Sequence, residues 1–217
     1  GRALLGEPME DPVLRALADT VRRFGVPPRC ISDILAGVRM DLSLSSYTNR
    51  AELDRYCRRV ASAVGVAAVH IWGFIDPRAI ERADDCGLAF QYTNILRDIP
   101  EDLARSRIYL PDEDLTACGC TAEELRAGRI HAGFAEVARR LVGLTEERFR
   151  RAAALDRMLS TDGRIAFRAM FGVYRSLLAA VRRAGPAIFT RSVKPSKPRL
   201  LASAATTLVL GPAGRRG

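Results

Sequence analysis

Gln91, Asn94, Asp98 and Asp102 are separated by steps of three, four and four, so a helix through this segment projects all four from one face. Carboxylates four residues apart repel, by roughly a few tenths of a kcal/mol when exposed and by more when buried. A divalent cation would remove that repulsion. Mg²⁺ takes oxygen ligands, commonly one or two carboxylates completed by water and diphosphate oxygens, which suits Asp98 and Asp102 with Asn94 beside them. Arg97 and Arg107 nearby would supply charge-assisted forks for a departing diphosphate. Pro100 lacks a backbone donor and predicts a kink or helix end that re-aims Asp102. A plainer alternative stands beside this one: a solvated acidic turn balanced by Arg97 and Arg105.

The elements that must position these groups read as helices throughout. Asp11 followed by Pro12 opens the first, which ends near Gly25; Pro27 and Pro28 turn the chain into a second, running to Met40 and Asp41. Asn49 with Glu52, and Thr121 with Glu124, have the spacing of capping boxes, and Asp76-Pro77 opens the helix that carries the acidic row. Later helices are expected over roughly 130–159 and 163–184. Residues 185–217 read as an irregular basic and apolar tail, because Pro186, Pro195 and Pro198 interrupt them. No repeat or linker divides the 217 residues, so one all-α domain is expected.

Composition bounds the partners. The net charge of +9 attracts anions in general, but no block of five or six basic residues occurs, and the acidic row argues against nucleic acid. Five cysteines without a CxxC pair indicate neither a disulfide framework nor a zinc site, which fits reduced cytoplasm. No apolar run is long enough to span a bilayer. The stretch from Lys194 to Leu210, basic and then apolar, suits peripheral contact with anionic lipid.

Gly87-Leu88-Ala89-Phe90-Gln91, Asn94-Ile95-Leu96-Arg97-Asp98, Glu101-Asp102 and Arg107-Ile108-Tyr109-Leu110-Pro111 together resemble the second aspartate-rich signature of squalene and phytoene synthases. Tyr56-Cys57-Arg58-Arg59-Val60-Ala61-Ser62-Ala63-Val64-Gly65 resembles the family's other signature, with Ser62 where Gly is usual. Met40-Asp41-Leu42, and Tyr174 with Arg175, also follow the pattern. The resemblance implies an isoprenoid-synthase-type helical bundle round a central cavity. It also implies Mg²⁺-dependent head-to-head condensation of two prenyl diphosphates, farnesyl or geranylgeranyl, through a cyclopropylcarbinyl diphosphate. By position, Asn94, Asp98 and Asp102 would bind Mg²⁺; Arg97 and Arg191 would contact diphosphate; Tyr56 would lie beside the reacting carbons. Arg107, Gln91 and Tyr174 join the substrate-binding set. Val60, Ala61, Val64, Gly65 and Phe90 would line a tunnel for the tails, because a polar wall would leave groups unpaired against hydrocarbon.

The family's first aspartate-rich motif has no counterpart within residues 1–217: Glu10-Asp11 reads as a helix cap and Asp84-Asp85 lacks the spacing. The bundle is thus expected to be N-terminally incomplete, and these residues alone are expected to give little or no turnover. The missing motif also leaves a second reading open, a catalytically silent relative that serves as an assembly scaffold.

Overall fold

A computed structural model of the chain describes residues 11–43, 45–194 and 197–210, and among these it is helical almost throughout. The elements are α1 (Pro12–Phe24), α2 (Pro28–Ser43), α3 (Arg50–Cys57), a π-helical turn (Arg58–Ser62), α4 (Ala63–Trp72), α5 (Ala79–Arg97), α6 (Ile99–Ala104), α7 (Asp112–Thr116), α8 (Ala122–Arg126), α9 (Ala132–Ala152), α10 (Thr161–Ala184) and α11 (Lys197–Leu210). None of these helices is long and apolar enough to cross a membrane.

Side-chain caps begin several of them. Asp11 accepts from the amides of Val13 (2.8 Å) and Leu14 (3.2 Å), and α1 ends on Gly25 in the left-handed region. Thr121 and Glu124 exchange both bonds of a capping box. Asn49 caps α3 by accepting from Glu52 N–H, but the Glu52 carboxylate reaches one residue further back, to Thr48 N–H at 2.9 Å.

α5 is the central helix and is enclosed by α4, α9 and the π turn. Leu88, Ala89, Thr93 and Leu96 are inaccessible to solvent, and the Thr93 hydroxyl is satisfied by the Ala89 carbonyl at 2.7 Å. Its acidic residues Asp84 and Asp85 are structural. Asp84 pairs with Arg58, while buried Asp85 takes Arg82 (2.9 Å) and Arg148 (3.2 Å). Arg148 also reaches Asp54, which accepts from the Tyr92 hydroxyl at 2.8 Å, so α3, α5 and α9 share one charged network.

Of the irregular tail expected over 185–217, residues 195–196 and 211–217 lie outside the described residues, and the rest is more regular than expected. A 3₁₀ turn covers Gly185–Phe189, and Lys197–Leu210 form α11 against α10. Pro198 does not prevent this because it occupies the first helical turn, where no intrahelical donor is needed. A Cβ on Gly172 would lie 2.6 Å from the Ser203 carbonyl oxygen, so glycine there lets the two helices approach, and Ser203 Oγ donates to the Gly172 carbonyl at 2.6 Å. Arg168 secures the corner: it forks onto Asp156 at 2.6 and 2.8 Å and donates to the Leu208 carbonyl at 3.1 Å. Asp156→Ala is expected to leave the guanidinium without its anion and cost about 2–3 kcal/mol, roughly 5–10 °C in Tm, read by thermal melting. An unchanged Tm would show that the fork contributes nothing net.

Candidate active site

A cavity of about 260 Å³ lies between α4, α5 and α10. Val60, Ala61, Val64 and Gly65, from the π turn and α4, form one wall; Phe90, Gln91 and Asn94 of α5 form another; Tyr174 of α10 faces them. The sequence pattern singles out all eight, and the structure brings them together. Ala68, Trp72, Ala83, Cys86, Gly87, Leu155, Phe167 and Met170 complete the lining; spacing does not mark them, since small and apolar residues on a helix look the same whether they pack or line a void.

The helix irregularity opposite α5 coincides with a close tertiary contact. A Cβ on Gly87 would sit 2.4 Å from Ser62 Cα and 2.6 Å from Ser62 N, so α5 touches the backbone of the π turn. Ser62, where the family's signature usually has glycine, keeps its hydroxyl satisfied by donating to the Asp84 carbonyl at 3.0 Å. The close approach is therefore provided by Gly87.

The polar groups divide between two sides of α5 and α6. On the cavity side, Asn94 Nδ2 lies 3.4 Å from the Tyr174 hydroxyl, and the Tyr174 ring stacks on Phe90 with centroids 3.9 Å apart and planes 6° apart. Asn94 Oδ1 is buried with no hydrogen-bond partner. The helix then breaks at Asp98 (φ −104°, ψ 11°) and restarts with Pro100 in its first turn. Arg97 forks onto the Asp98 carboxylate at 2.7 and 2.5 Å.

Asp102 follows on α6 in a crevice with Ile95, Ile99, Arg107 and Tyr109, so the row expected on one continuous face turns away from the cavity at its end. Burial, and then the nearby Asp98 charge, raise its pKa to about 6. Arg107 also lies on this side: its guanidinium donates to the Asp41 carbonyl at 2.9 Å and its amide to the Asp102 carbonyl at 2.9 Å.

Tyr56 is placed in a tyrosine cluster rather than on the cavity wall. Its ring lies 5.3 Å from that of Tyr109 and 5.5 Å from that of Tyr47. Burial raises its pKa, and hydrogen bonding to Tyr109 and Asp41 adds to this, so the phenol stays protonated. Tyr109 in turn donates to Asp41 Oδ1 at 2.9 Å. Asp41, to which the spacing of residues assigned no role, is thus the acceptor that anchors the cluster. Arg191 is exposed; its neighbour Ser192 donates to the Glu101 carboxylate and so brings this segment against α6.

A sequence model described as squalene/phytoene synthase matches residues 2–199. The chain belongs to the squalene/phytoene synthase family. Among its relatives, the phytoene synthase of Pseudescherichia vulneris is 36% identical over 195 residues, which is 90% of this chain and 63% of that one. The chain thus spans under two-thirds of that relative's length. A squalene synthase, HpnC, from Alicyclobacillus acidocaldarius superposes with a TM-score of 0.77 at 30% identity, covering 85% of this chain and 70% of that one. A dehydrosqualene synthase solved with a ligand gives 0.80 at 27% identity, over 94% and 74% of the two chains. The helical architecture is therefore that of the isoprenoid synthases.

The residues present in this squalene/phytoene synthase relative suit a hard cation. Asn94 offers a buried carbonyl oxygen that nothing satisfies, and Asp102 a half-buried carboxylate without a close cationic partner. Asp98 is held by Arg97, so taking a cation would exchange one positive partner for another. Among the described residues, no cluster of three or more His, Cys, Asp or Glu is placed to hold a metal. By themselves these donors would supply only part of a cation's coordination shell.

Proposed function

We propose that the full-length protein condenses two prenyl diphosphates head to head, with farnesyl or geranylgeranyl donors, to a squalene-type or phytoene-type product. The observation that carries this reading is the polarity of the cavity: apolar walls along its length, with Gln91, Asn94 and Tyr174 gathered at one end beside Arg97 and Asp98. Such a void suits a long hydrocarbon carrying a charged head.

The walls would shed water from the tails and from the allylic cation left by ionisation, which water would otherwise quench. Arg97, released from Asp98, would fork onto diphosphate oxygens and stabilise their growing charge. The stacked faces of Phe90 and Tyr174 border the same end and can favour a nearby carbocation over neutral substrate. Tyr56, held as a neutral phenol by Tyr109 and Asp41 off the cavity wall, would serve the site through that hydrogen-bonded cluster and not by proton transfer, which a phenol of raised pKa disfavours. Asn94, Asp98 and Asp102 would hold Mg²⁺, which when bound neutralises diphosphate charge and makes it a better leaving group. Attack of the allylic cation on the second donor's double bond, with loss of a proton, would give the cyclopropylcarbinyl diphosphate. Departure of its diphosphate and rearrangement would then end in loss of a further proton for a phytoene-type product, or in uptake of hydride from an added hydride donor for a squalene-type one.

Incubation of the full-length protein with either donor and Mg²⁺ is expected to release diphosphate together with a long hydrocarbon or its cyclopropyl precursor. The same assay on residues 1–217 alone is expected to yield little or none. Release of no diphosphate from either donor by the full-length protein would refute the assignment.

A further inference from the structure

The cavity has a direction that the helix packing defines. Gly87 abuts Ser62 while Gly65 abuts Ala83, so α4 and α5 run antiparallel, and α4 residues beyond Gly65 lead away from Asn94. Trp72 ends α4 and lines the cavity with Ala68 and Phe167. On α10, Tyr174 sits by Asn94, while Gly163 packs against Trp72. From Ala61 to Trp72, and from Tyr174 back to Gly163, each wall runs about 16 Å at 1.5 Å per helical residue.

The backbone that carries the large ring at the apolar end is held firmly. A Cβ on Gly163 would lie 2.9 Å from Trp72 Cβ, so glycine there admits the tryptophan. Ser160 Oγ donates to the Trp72 carbonyl at 2.5 Å, and Ser160 N–H donates to the Gly73 carbonyl at 2.9 Å. Gly73, at φ +80°, stops the helix just after Trp72, and Phe74 pairs with Leu159 in an antiparallel bridge. These contacts give Trp72 a fixed backbone, which a ring that merely covered an exposed helix end would not require.

We propose that Trp72 gauges tail length: its indole closes the apolar run, and sets the longest isoprenoid tail that fits while the diphosphate stays at the Asn94 end. The inference rests on the prenyl reading of the cavity and adds a specificity-determining residue to it. Ala68, one turn closer to the polar end, is the position from which a larger side chain would shorten the same run.

The probes are unreactive thiolodiphosphates bearing geranyl, farnesyl, geranylgeranyl and geranylfarnesyl tails, titrated into the full-length protein by calorimetry. Trp72 is the single tryptophan of these 217 residues, and the emission lost in Trp72→Phe identifies its signal. That emission is expected to shift only with tails above a threshold length. Trp72→Ala is expected to raise affinity for the probe one isoprene longer than the wild-type optimum by about tenfold, and Ala68→Phe to weaken the optimum itself by about tenfold. In Ala68→Phe, Trp72 emission should no longer respond. If Trp72→Ala does not fold, Trp72→Leu and Ala68→Phe carry the test. An unchanged length preference in folded, tightly binding variants would overturn the gauge and leave the prenyl reading intact. Failure of every probe to bind wild-type protein would overturn the prenyl reading, and the gauge with it.

Discussion

Asp102→Asn in the full-length protein is expected to lower turnover by about 10²–10³-fold and, in the absence of metal, to make the protein more stable. The opposite signs follow from the same fact. Asp102 is half-buried and lies near Asp98, and it has been pushed up to about 6 from its ordinary 3.8 because the folded state disfavours its charge. A raised carboxyl pKa contributes stability that is present below pH ~4 and is lost as pH climbs through ~6, so at neutral pH the ionised side chain is a liability. Removing the charge should recover about 1 kcal/mol there, after allowance for its half exposure, and nothing below pH ~4. Melting curves on either side of this window, with Mg²⁺ chelated, read the stability. Diphosphate release reads the activity. Retained turnover would remove Asp102 from the metal-binding set; a fall in stability at neutral pH would show that its charge has a partner the crevice conceals.

The helices were largely legible because their signals are local. The caps at Asp11, Asn49 and Thr121 each act within four residues, and Pro100 breaks its helix as a missing donor requires. The acidic row was legible as spacing but not as geometry. Steps of four keep side chains on one face only while the helix continues, and the break at Asp98 sends Asp102 towards Arg107 and Tyr109. What could not be read were contacts between residues far apart in sequence. Asp41 meets Tyr109 across 68 positions, and Tyr56 joins them only through the tertiary fold. The π turn had no signature of its own either. It forms where α5 presses on residues 58–62, and nothing within Arg58-Arg59-Val60-Ala61-Ser62 departs from an ordinary helical run. α11 is hidden in the sequence for a related reason: the glycine that accommodates it, Gly172, lies on another helix.

Gly87→Ala is expected to be the most damaging of the single-methyl additions, costing about 3 kcal/mol or more. Three backbone atoms would lie within 2.9 Å of the new Cβ: Ser62 Cα at 2.4 Å, Ser62 N at 2.6 Å and the Ala61 carbonyl carbon at 2.9 Å. No rotamer change can relieve a clash with backbone, so α5 and the π turn must move apart. Ser62→Gly should not rescue the variant, because it leaves all three atoms in place. The separation would also widen the cavity at Phe90, Gln91 and Asn94, so turnover should fall even in the fraction that folds. Two other glycines calibrate the argument. Gly65→Ala meets the Ala83 carbonyl oxygen at 3.2 Å and should cost less, because a shift of a few tenths of an ångström suffices. Gly143→Ala, in the middle of α9 with nothing within 4 Å, should gain about 0.5–1 kcal/mol from helix propensity alone. Chemical denaturation of the three variants should rank them Gly143, Gly65, Gly87 from most to least stable. A Gly87→Ala protein as stable as wild type would mean that α5 does not rest on the π turn, and the shape of the cavity would have to be explained another way.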